Sequence, residues 1–354
     1  MLNSIAFFAI ARNFTTLYTQ KSQQLMRQKL LELIGTFPDD GKNEFRRRMR
    51  FHQGWWRTFV LGKEEGTYID PNKIERGNCS KLKPEDGAKG LNFINEDTFN
   101  IAQTYSAIQD KLIEVSRLNE NLLSSQPTAF NFFAQLSLDC RNESGLANRF
   151  LKILIPDITN VSSVDFECNP KNRIDKSAFD FGFQIEINGK KGFAGYECKL
   201  TDEFSWRDKT GKFYGEEGTS GYNRYFPVYE RHRNHFIDDY FSYVKSKEFN
   251  QLFRNELMAK NMEENKEYEF VFTGLFCHND DKPTVDAGKR FVEKLGDGQR
   301  KFRTFTHSEF FEIMGQLTLT PMQQFWLRML RVRYSPEFSN EIYKICFPVI
   351  QPAK

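Results

Sequence analysis

The stretch AFDFGFQIEINGKKGFAGYECKL, Ala178 to Leu200, alternates apolar and polar side chains on both sides of Asn188-Gly189. A period of two marks a half-buried strand. Asn-Gly is the strongest short-range signal for a two-residue type I′ turn, because both central residues must accept φ > 0. The pattern predicts a β-hairpin in which Ile187 faces Lys190 and Asp180 lies across from Glu197. Phe179, Phe181, Phe183, Ile185 and Ile187 then share one face with Ala194, Tyr196 and Cys198, while Asp180, Glu197 and Lys199 share the other.

The other apolar patterns describe an α/β fold with a mixed sheet. Helical spacing runs through Thr98–Asn119, with Ile101, Tyr105, Ile108, Leu112 and Val115, and through Phe130–Leu138 and Glu143–Ile155, the last ended by Pro156. Val161–Cys168 reads as a strand before the hairpin. Thr201–Pro227 is long, polar and glycine-rich, a candidate substrate loop. Helices are expected over Tyr229–Lys247 and Phe249–Met262, a buried strand over Tyr268–Cys277, and a helix over Val285–Leu295. A strand at Phe302–Phe305 and helices at Ser308–Leu317 and Pro321–Arg333 follow. Upstream the chain is mostly helical, and Thr67–Asn92 is an extended surface segment punctuated by Pro71, Gly77, Pro84, Gly87 and Gly90. Small polar residues over Asn119–Pro127 mark a soft boundary. They divide the chain into a basic helical region, 1–120, and an α/β domain, 121–354.

Composition narrows the class. Hydrophobic content of 39% and charged content of 27% over 354 residues fit a folded chain rather than a disordered one. The 36 Phe residues foretell an aromatic core. Cys79, Cys140, Cys168, Cys198, Cys277 and Cys346 show no CxxC spacing, which fits reduced thiols in a cytoplasmic protein. Net charge is only +3, yet residues 1–60 carry ten Lys and Arg against four Asp and Glu. A basic end on a near-neutral body suits an anionic partner, and equally a solvated charged helix. The first 31 residues hold no acid, and Ile5–Ala11 (IAFFAIA) is read as part of an amphipathic helix packed on the rest. No apolar run approaches the roughly 18 residues that would span a membrane.

The candidate chemistry sits on the polar face of the hairpin. Opposed Cβ atoms in an antiparallel pair lie roughly 4.5–5.5 Å apart. Two carboxylates that close repel unless a cation or a shared proton lies between them. Asp180 and Glu197 with Lys199 therefore suit a hard-metal site beside an ammonium, although a solvated strand face carries the same residue types. Two details favour the site: Asp is disfavoured in mid-strand, and Asp180 is embedded in an aromatic run.

Asp180 followed by Glu197-Cys198-Lys199 on the next strand resembles the D…(D/E)-x-K signature of the PD-(D/E)XK nuclease superfamily. Arg46–Val60 (RRRMRFHQGWWRTFV), Ser125–Leu136 (SQPTAFNFFAQL) and Gln251–Ala259 (QLFRNELMA) are similar to a group of uncharacterised bacterial proteins counted as restriction endonucleases of that superfamily. The likeness spans most of the chain and departs from the superfamily name where Phe179 stands in place of the Pro. It implies a restriction-endonuclease-like core and metal-dependent hydrolysis of phosphodiester bonds, with DNA as substrate. Asp180 and Glu197 would hold Mg²⁺ or Mn²⁺, and Lys199 would orient or activate the attacking water. Glu167, on the preceding strand, would be an auxiliary acid, with Gln251 and Arg254 as supporting polar residues. A homodimer is compatible with the likeness. A catalytically inactive nucleic-acid-binding module that keeps the fold is the alternative.

Other motifs carry less. Arg46, Arg47, Arg48, Arg50 and Arg57 interleave with Phe45, Phe51, Trp55 and Trp56. Arginines among aromatics suit phosphate contact and base stacking, while the two Trp residues also read as core anchors. Glu143 near a helix start reads as a dipole partner, and Asp202 and Glu203 as loop surface. His232 and His235 lack a third zinc ligand at useful spacing. No phosphate-binding glycine loop and no GxSxG is present.

Overall fold

The computed structural model describes residues 20–109, 111–296 and 301–348. Contacts divide the chain into two units. One takes the described residues up to Asn95, Val115–Leu123 and those from Phe325 on; the other takes Glu96–Glu114 and Ser124–Gln324. The chain passes between them four times. The run Ile5–Ala11 lies outside the described residues.

The first unit contains helices α1 (Gln20–Ile34) and α2 (Glu44–Trp55) and the short antiparallel strands β1 (Gly66–Ile69) and β2 (Glu75–Asn78). Asn43 starts α2 by accepting the Arg46 N–H, which satisfies one of the unpaired donors of a helix start. Trp55 and Trp56 are buried with Phe51, Leu30, Ile34 and Cys79, so both are core anchors. The β1–β2 pair stands where an extended surface segment was expected. Its turn is built by Asp70, whose carboxylate accepts the Asn72 and Ile74 N–H groups and pairs with Arg76.

The second unit carries the sheet. Its helices are α3 (Glu96–Ser106), α4 (Ser125–Ser137) and α5 (Leu146–Leu154), followed by strands β3 (Asn160–Cys168), β4 (Phe179–Ile187) and β5 (Lys190–Lys199). Then come α6 (Ser220–Arg231), α7 (Asn250–Glu264), β6 (Phe270–Cys277), α8 (Lys282–Val292), β7 (Phe302–Thr306) and α9 (His307–Gly315). Strands pair in the order β3-β4-β5-β6-β7; the first three form an antiparallel meander, and β6 and β7 continue in parallel. This is a mixed-sheet α/β core, as the hydrophobic pattern predicts.

Each face of the sheet buries a helix. On one, Phe133 of α4 stacks on Phe181 at 3.9 Å and meets Phe276 edge-on, while Phe181 stacks on Tyr196. On the other, Leu257 and Met258 of α7 join Phe193, Leu275, Tyr225 and Tyr229. Asn188 and Gly189 take φ of 51° and 77°, the backbone that the type I′ turn requires. The register runs from Ile187↔Lys190 to Phe181↔Tyr196, the pairing that the turn dictates.

Three expectations change. Phe179 does not share the face of Phe181; it joins the cluster of Leu257 and Tyr225, and its ring covers Gly195, where a Cβ would collide with it. The alternation breaks at this end of the sheet, where Glu167 on the neighbouring strand takes φ +47°. The helix expected over Thr98–Asn119 ends at Ser106 and resumes over Val115–Glu120. Between them Lys111 donates to the carbonyls of Phe166 and Glu167 and so ties this connection to β3. The helix expected over Tyr229–Lys247 is instead α6, a short turn and a separate helix, Tyr240–Val244. Asp239 starts that helix by accepting the Phe241 and Ser242 N–H groups.

Candidate active site

Asp180, Glu197, Lys199 and Glu167 gather at the ends of the meander strands. Cys168↔Phe179 and Phe166↔Phe181 pair across β3–β4, so Glu167 lies beside Asp180. The β4–β5 register places Asp180 next after Phe181, level with Glu197. Asp180 Oδ2 accepts the Cys198 N–H at 2.6 Å, which fixes the carboxylate against β5. Among the described residues Oδ1 accepts no hydrogen bond, and Asp180 is only half-buried.

Glu197 is more enclosed, at 3% exposure. Its Oε1 lies 3.0 Å from Lys199 Nζ and accepts from Gln251 Nε2 at 2.5 Å, and its Oε2 accepts from Asn255 Nδ2 at 3.2 Å. Gln251 and Asn255 are one helical turn apart on α7, so a single face of that helix reaches both oxygens. Glu167 Oε1 accepts from Gln126 Nε2 at 2.9 Å. A non-glycine residue with positive φ is uncommon and clusters at functional sites, and Glu167 is one.

The charges perturb one another. Burial, then the Glu197 and Glu167 carboxylates, push Asp180 well above the usual carboxylate range, against the pull of Lys199 and the Cys198 N–H. Burial pulls Lys199 down, but Glu197, Asp180 and Asp202 outweigh it, so its net shift is upward and it stays an ammonium at neutral pH. One ammonium thus faces three carboxylates, a site short of positive charge. Its accessible donors are carboxylate oxygens, which suit a hard divalent cation. Among the described residues no group of three His, Cys, Asp or Glu could itself hold a metal. The arrangement fits a cation held by two carboxylates whose remaining positions go to water and phosphate, the usual habit of Mg²⁺.

Sequence reasoning missed part of this shell. Asn255 and Gln126 went unnoticed, although Asn255 stands four positions after Gln251. Asp202, read as loop surface, accepts the Ser125 N–H and so occupies the N-terminus of α4, where a carboxylate is favoured. Glu203 is exposed and pairs with Lys247. Glu143 is exposed ahead of α5, whose first N–H, that of Leu146, is met by Asp139 instead. His235 is buried against Glu256 at 2.8 Å and His232 lies 3.6 Å from Glu264, which leaves no zinc-like grouping.

The arginines divide sharply. Arg50 is buried and ion-paired with Asp40, and it also donates to Ser80. Arg57 is 1% exposed and donates to the carbonyls of Cys79, Lys63 and Ile34. Arg48 donates to Ser339, Asn340 and the Pro336 carbonyl, with its guanidinium over the Tyr343 ring. The expectation that all five reach nucleic acid is therefore corrected for Arg50 and Arg57, and Arg48 is already engaged. Around α2, Arg57 satisfies backbone carbonyls and Arg50 neutralises the buried Asp40 carboxylate. Arg47 is exposed and Arg46 half-exposed beside Asp40.

No helix among the described residues is long and apolar enough to cross a membrane. No curated protein and no solved structure matches the chain. A family model described as the PD-(D/E)XK nuclease superfamily matches residues 39–336, a span that takes in the hairpin, the helix that clamps Glu197 and the parallel strands beyond it. With a match over most of its length and a five-stranded mixed sheet consistent with that fold, the chain belongs to the PD-(D/E)XK nuclease superfamily.

Proposed function

We propose that this protein is a divalent-metal-dependent endonuclease that hydrolyses phosphodiester bonds in DNA, with Asp180 and Glu197 as the metal carboxylates. The observation that carries the reading is the crowding of the Glu197 and Glu167 carboxylates about Asp180, with the Lys199 ammonium 3.0 Å from Glu197. Nucleases of this superfamily typically use divalent metals, and Mg²⁺ or Mn²⁺ suits the oxygen donors. Such a cation supplies charge compensation for the phosphate and acidifies water beside it.

The side chains do the rest. Asp180 has its Oδ2 pinned by the Cys198 N–H, while Oδ1 accepts no hydrogen bond among the described residues. Gln251 and Asn255 hold the Glu197 carboxylate in one rotamer, which preorganises it. Lys199 is a donor at neutral pH, because its net shift is upward. Its role is to orient or activate the attacking water, or to meet a phosphate oxygen. Glu167 adds negative charge beside Asp180 and is itself oriented by Gln126. In the first unit, Arg46 and Arg47 are the members of the arginine cluster available to a phosphate backbone.

Supercoiled plasmid, linear duplex and single-stranded DNA incubated with Mg²⁺ or Mn²⁺ test the proposal. Cleavage is expected with metal and is expected to vanish with EDTA or in Glu197→Ala. Cleavage that persists in either condition sinks the mechanism. Tight binding without cleavage in any metal supports the inactive binding module instead.

A further inference from the structure

Beyond Lys199 the chain does not wander. Lys199 Nζ lies 3.5 Å from the Glu203 carbonyl and 5.4 Å from the Phe204 ring centre, so the segment leaves β5 in contact with the site's own ammonium. Ser205 N–H then donates to Gln251 Oε1 at 2.9 Å, the same amide whose nitrogen holds Glu197. From here the chain makes a small hairpin: Arg207 bridges Phe213, Tyr214 N–H donates to the Trp206 carbonyl at 3.1 Å, and Asp208 N–H donates to the Lys212 carbonyl at 2.8 Å.

Both feet of this hairpin stand on one buried guanidinium. Arg254 of α7 is 6% exposed; it donates to the carbonyl and hydroxyl of Ser205, and lies 4.6 Å from the centre of the Tyr214 ring. Asn250 of the same helix donates to the Tyr214 carbonyl at 2.9 Å. The helix that orients Glu197 therefore also plants the hairpin.

The tip is basic. Arg207, Lys209 and Lys212 are all exposed, and among the described residues none meets a carboxylate within ion-pair distance. The Arg207 guanidinium lies 4.5 Å from the Trp206 ring centre and 4.2 Å from that of Phe213, which fixes its direction. The acid in this turn, Asp208, is used internally: it accepts from Thr210 N–H, Thr210 Oγ–H and Lys212 N–H. A solvated loop does not need a buried arginine at its base, a stacked arginine on its flank and its carboxylate turned inward. These features together make a rigid cationic projection.

We propose that the hairpin Trp206–Phe213 is a preformed contact for the phosphate backbone of the nucleic-acid strand flanking the scissile bond, with Arg207, Lys209 and Lys212 as the phosphate-binding residues. This rests on the nuclease reading above. Backbone contacts of this kind position a strand without reading its sequence. The two Lys residues act as point charges and the stacked Arg as an oriented fork.

The test is equilibrium binding of a fluorescent duplex oligonucleotide to the full chain in EDTA, across a range of salt. The triple variant Arg207→Gln/Lys209→Gln/Lys212→Gln is compared with wild type and with a charge-matched control on α8, Lys282→Gln/Lys289→Gln/Arg290→Gln. The slope of log affinity against log salt should flatten by about 0.9 for each phosphate that the hairpin variant no longer neutralises, and by less in the control. Should the triple variant melt well below wild type, Lys209→Glu alone, at an exposed turn position, should still weaken binding. A salt slope equal in hairpin variant and control, or unchanged binding by Lys209→Glu, overturns the hairpin's role. If wild type nevertheless cleaves DNA with Mg²⁺, the nuclease reading survives that failure. A wild type that cleaves with no divalent metal removes the reading itself.

Discussion

Replacing Lys199 by Met removes the one ammonium of the site and nearly nothing of its volume. The pair it breaks is buried: Lys199 is 5% exposed, Glu197 is 3% exposed, and they meet at 3.0 Å. Two unit charges at that separation attract by about 5–6 kcal/mol at an effective dielectric of about 20, before desolvation is subtracted. Removing one member of a buried pair costs about 3–5 kcal/mol, because the other is left uncompensated. Glu197 keeps its Gln251 and Asn255 donors, which places the loss at the lower end, about 3 kcal/mol. On the proposed reading, a divalent cation held by Asp180 and Glu197 would replace the missing charge. At a hundred times its dissociation constant, any ligand that binds only the folded state adds about 2.7 kcal/mol, nearly the whole loss. Urea unfolding of wild type and Lys199→Met, each in EDTA and in saturating Mg²⁺ or Mn²⁺, reads these quantities. Expected is a large gap in EDTA that narrows with metal, because the variant gains more from the cation than wild type does. A loss under about 1 kcal/mol in EDTA refutes the buried counter-ion argument. Equal metal gains in both proteins refute the view that the cation and Lys199 share the same carboxylates. Because the folded Lys199 pKa is raised, its stabilisation should hold through neutral pH and fade only as pH rises beyond its unfolded value, roughly 10.4.

Asp180 has the opposite sign: a carboxylate raised on folding destabilises the native state when ionised. Metal-free wild type should gain stability relative to Asp180→Asn as pH falls from neutral toward about 4, measured as melting temperature against pH, and equal pH profiles contradict this. Arg46→Gln/Arg47→Gln should fold normally yet flatten the salt dependence of DNA binding, whereas Arg57→Ala should destabilise by roughly 3 kcal/mol or more, since it orphans three backbone carbonyls. An Arg57→Ala protein as stable as wild type overturns the structural role. Phe133→Ala, in the aromatic stack between α4 and the sheet, should cost about 3–5 kcal/mol by calorimetry or urea titration, and a cost under about 1 kcal/mol would show a core able to collapse around the loss.

The hairpin was legible because its chemistry is local. Asn188-Gly189 fixes the turn, the turn fixes the register, and the register brings Asp180 toward Glu197. The order of the later elements was legible for the same reason, since each carries its own periodicity. What could not be read depends on groups far apart in sequence. Phe179 crosses to the other face because Gly195 leaves room for its ring, a fact of the partner strand. The helix expected through residue 119 stops because Lys111 finds carbonyls on β3 more than fifty positions away. Arg50 and Arg57 read as phosphate contacts because composition cannot tell a guanidinium that meets phosphate from one that pairs with a buried carboxylate, as Arg50 does, or satisfies buried carbonyls, as Arg57 does. Asn255 carries no signal of its own until α7 is placed against Glu197.

The fourfold passage between units also sets an order of events during synthesis. About 230 residues separate Asn95 from Phe325, which at roughly 5–20 residues per second corresponds to a wait of roughly 10–45 s. Throughout that interval Trp55, Trp56 and Phe51 are on the growing chain, while Ile342 and Cys346, which complete their cluster, are not yet made. The sheet-bearing unit, whose last segment is complete by Gln324, has all its parts first. A nascent chain of this protein therefore carries an unfinished, aromatic-rich surface for longer than its finished nuclease core. Chaperone engagement should concentrate on the segment up to Asn95, which is translated well before the residues that close its cluster.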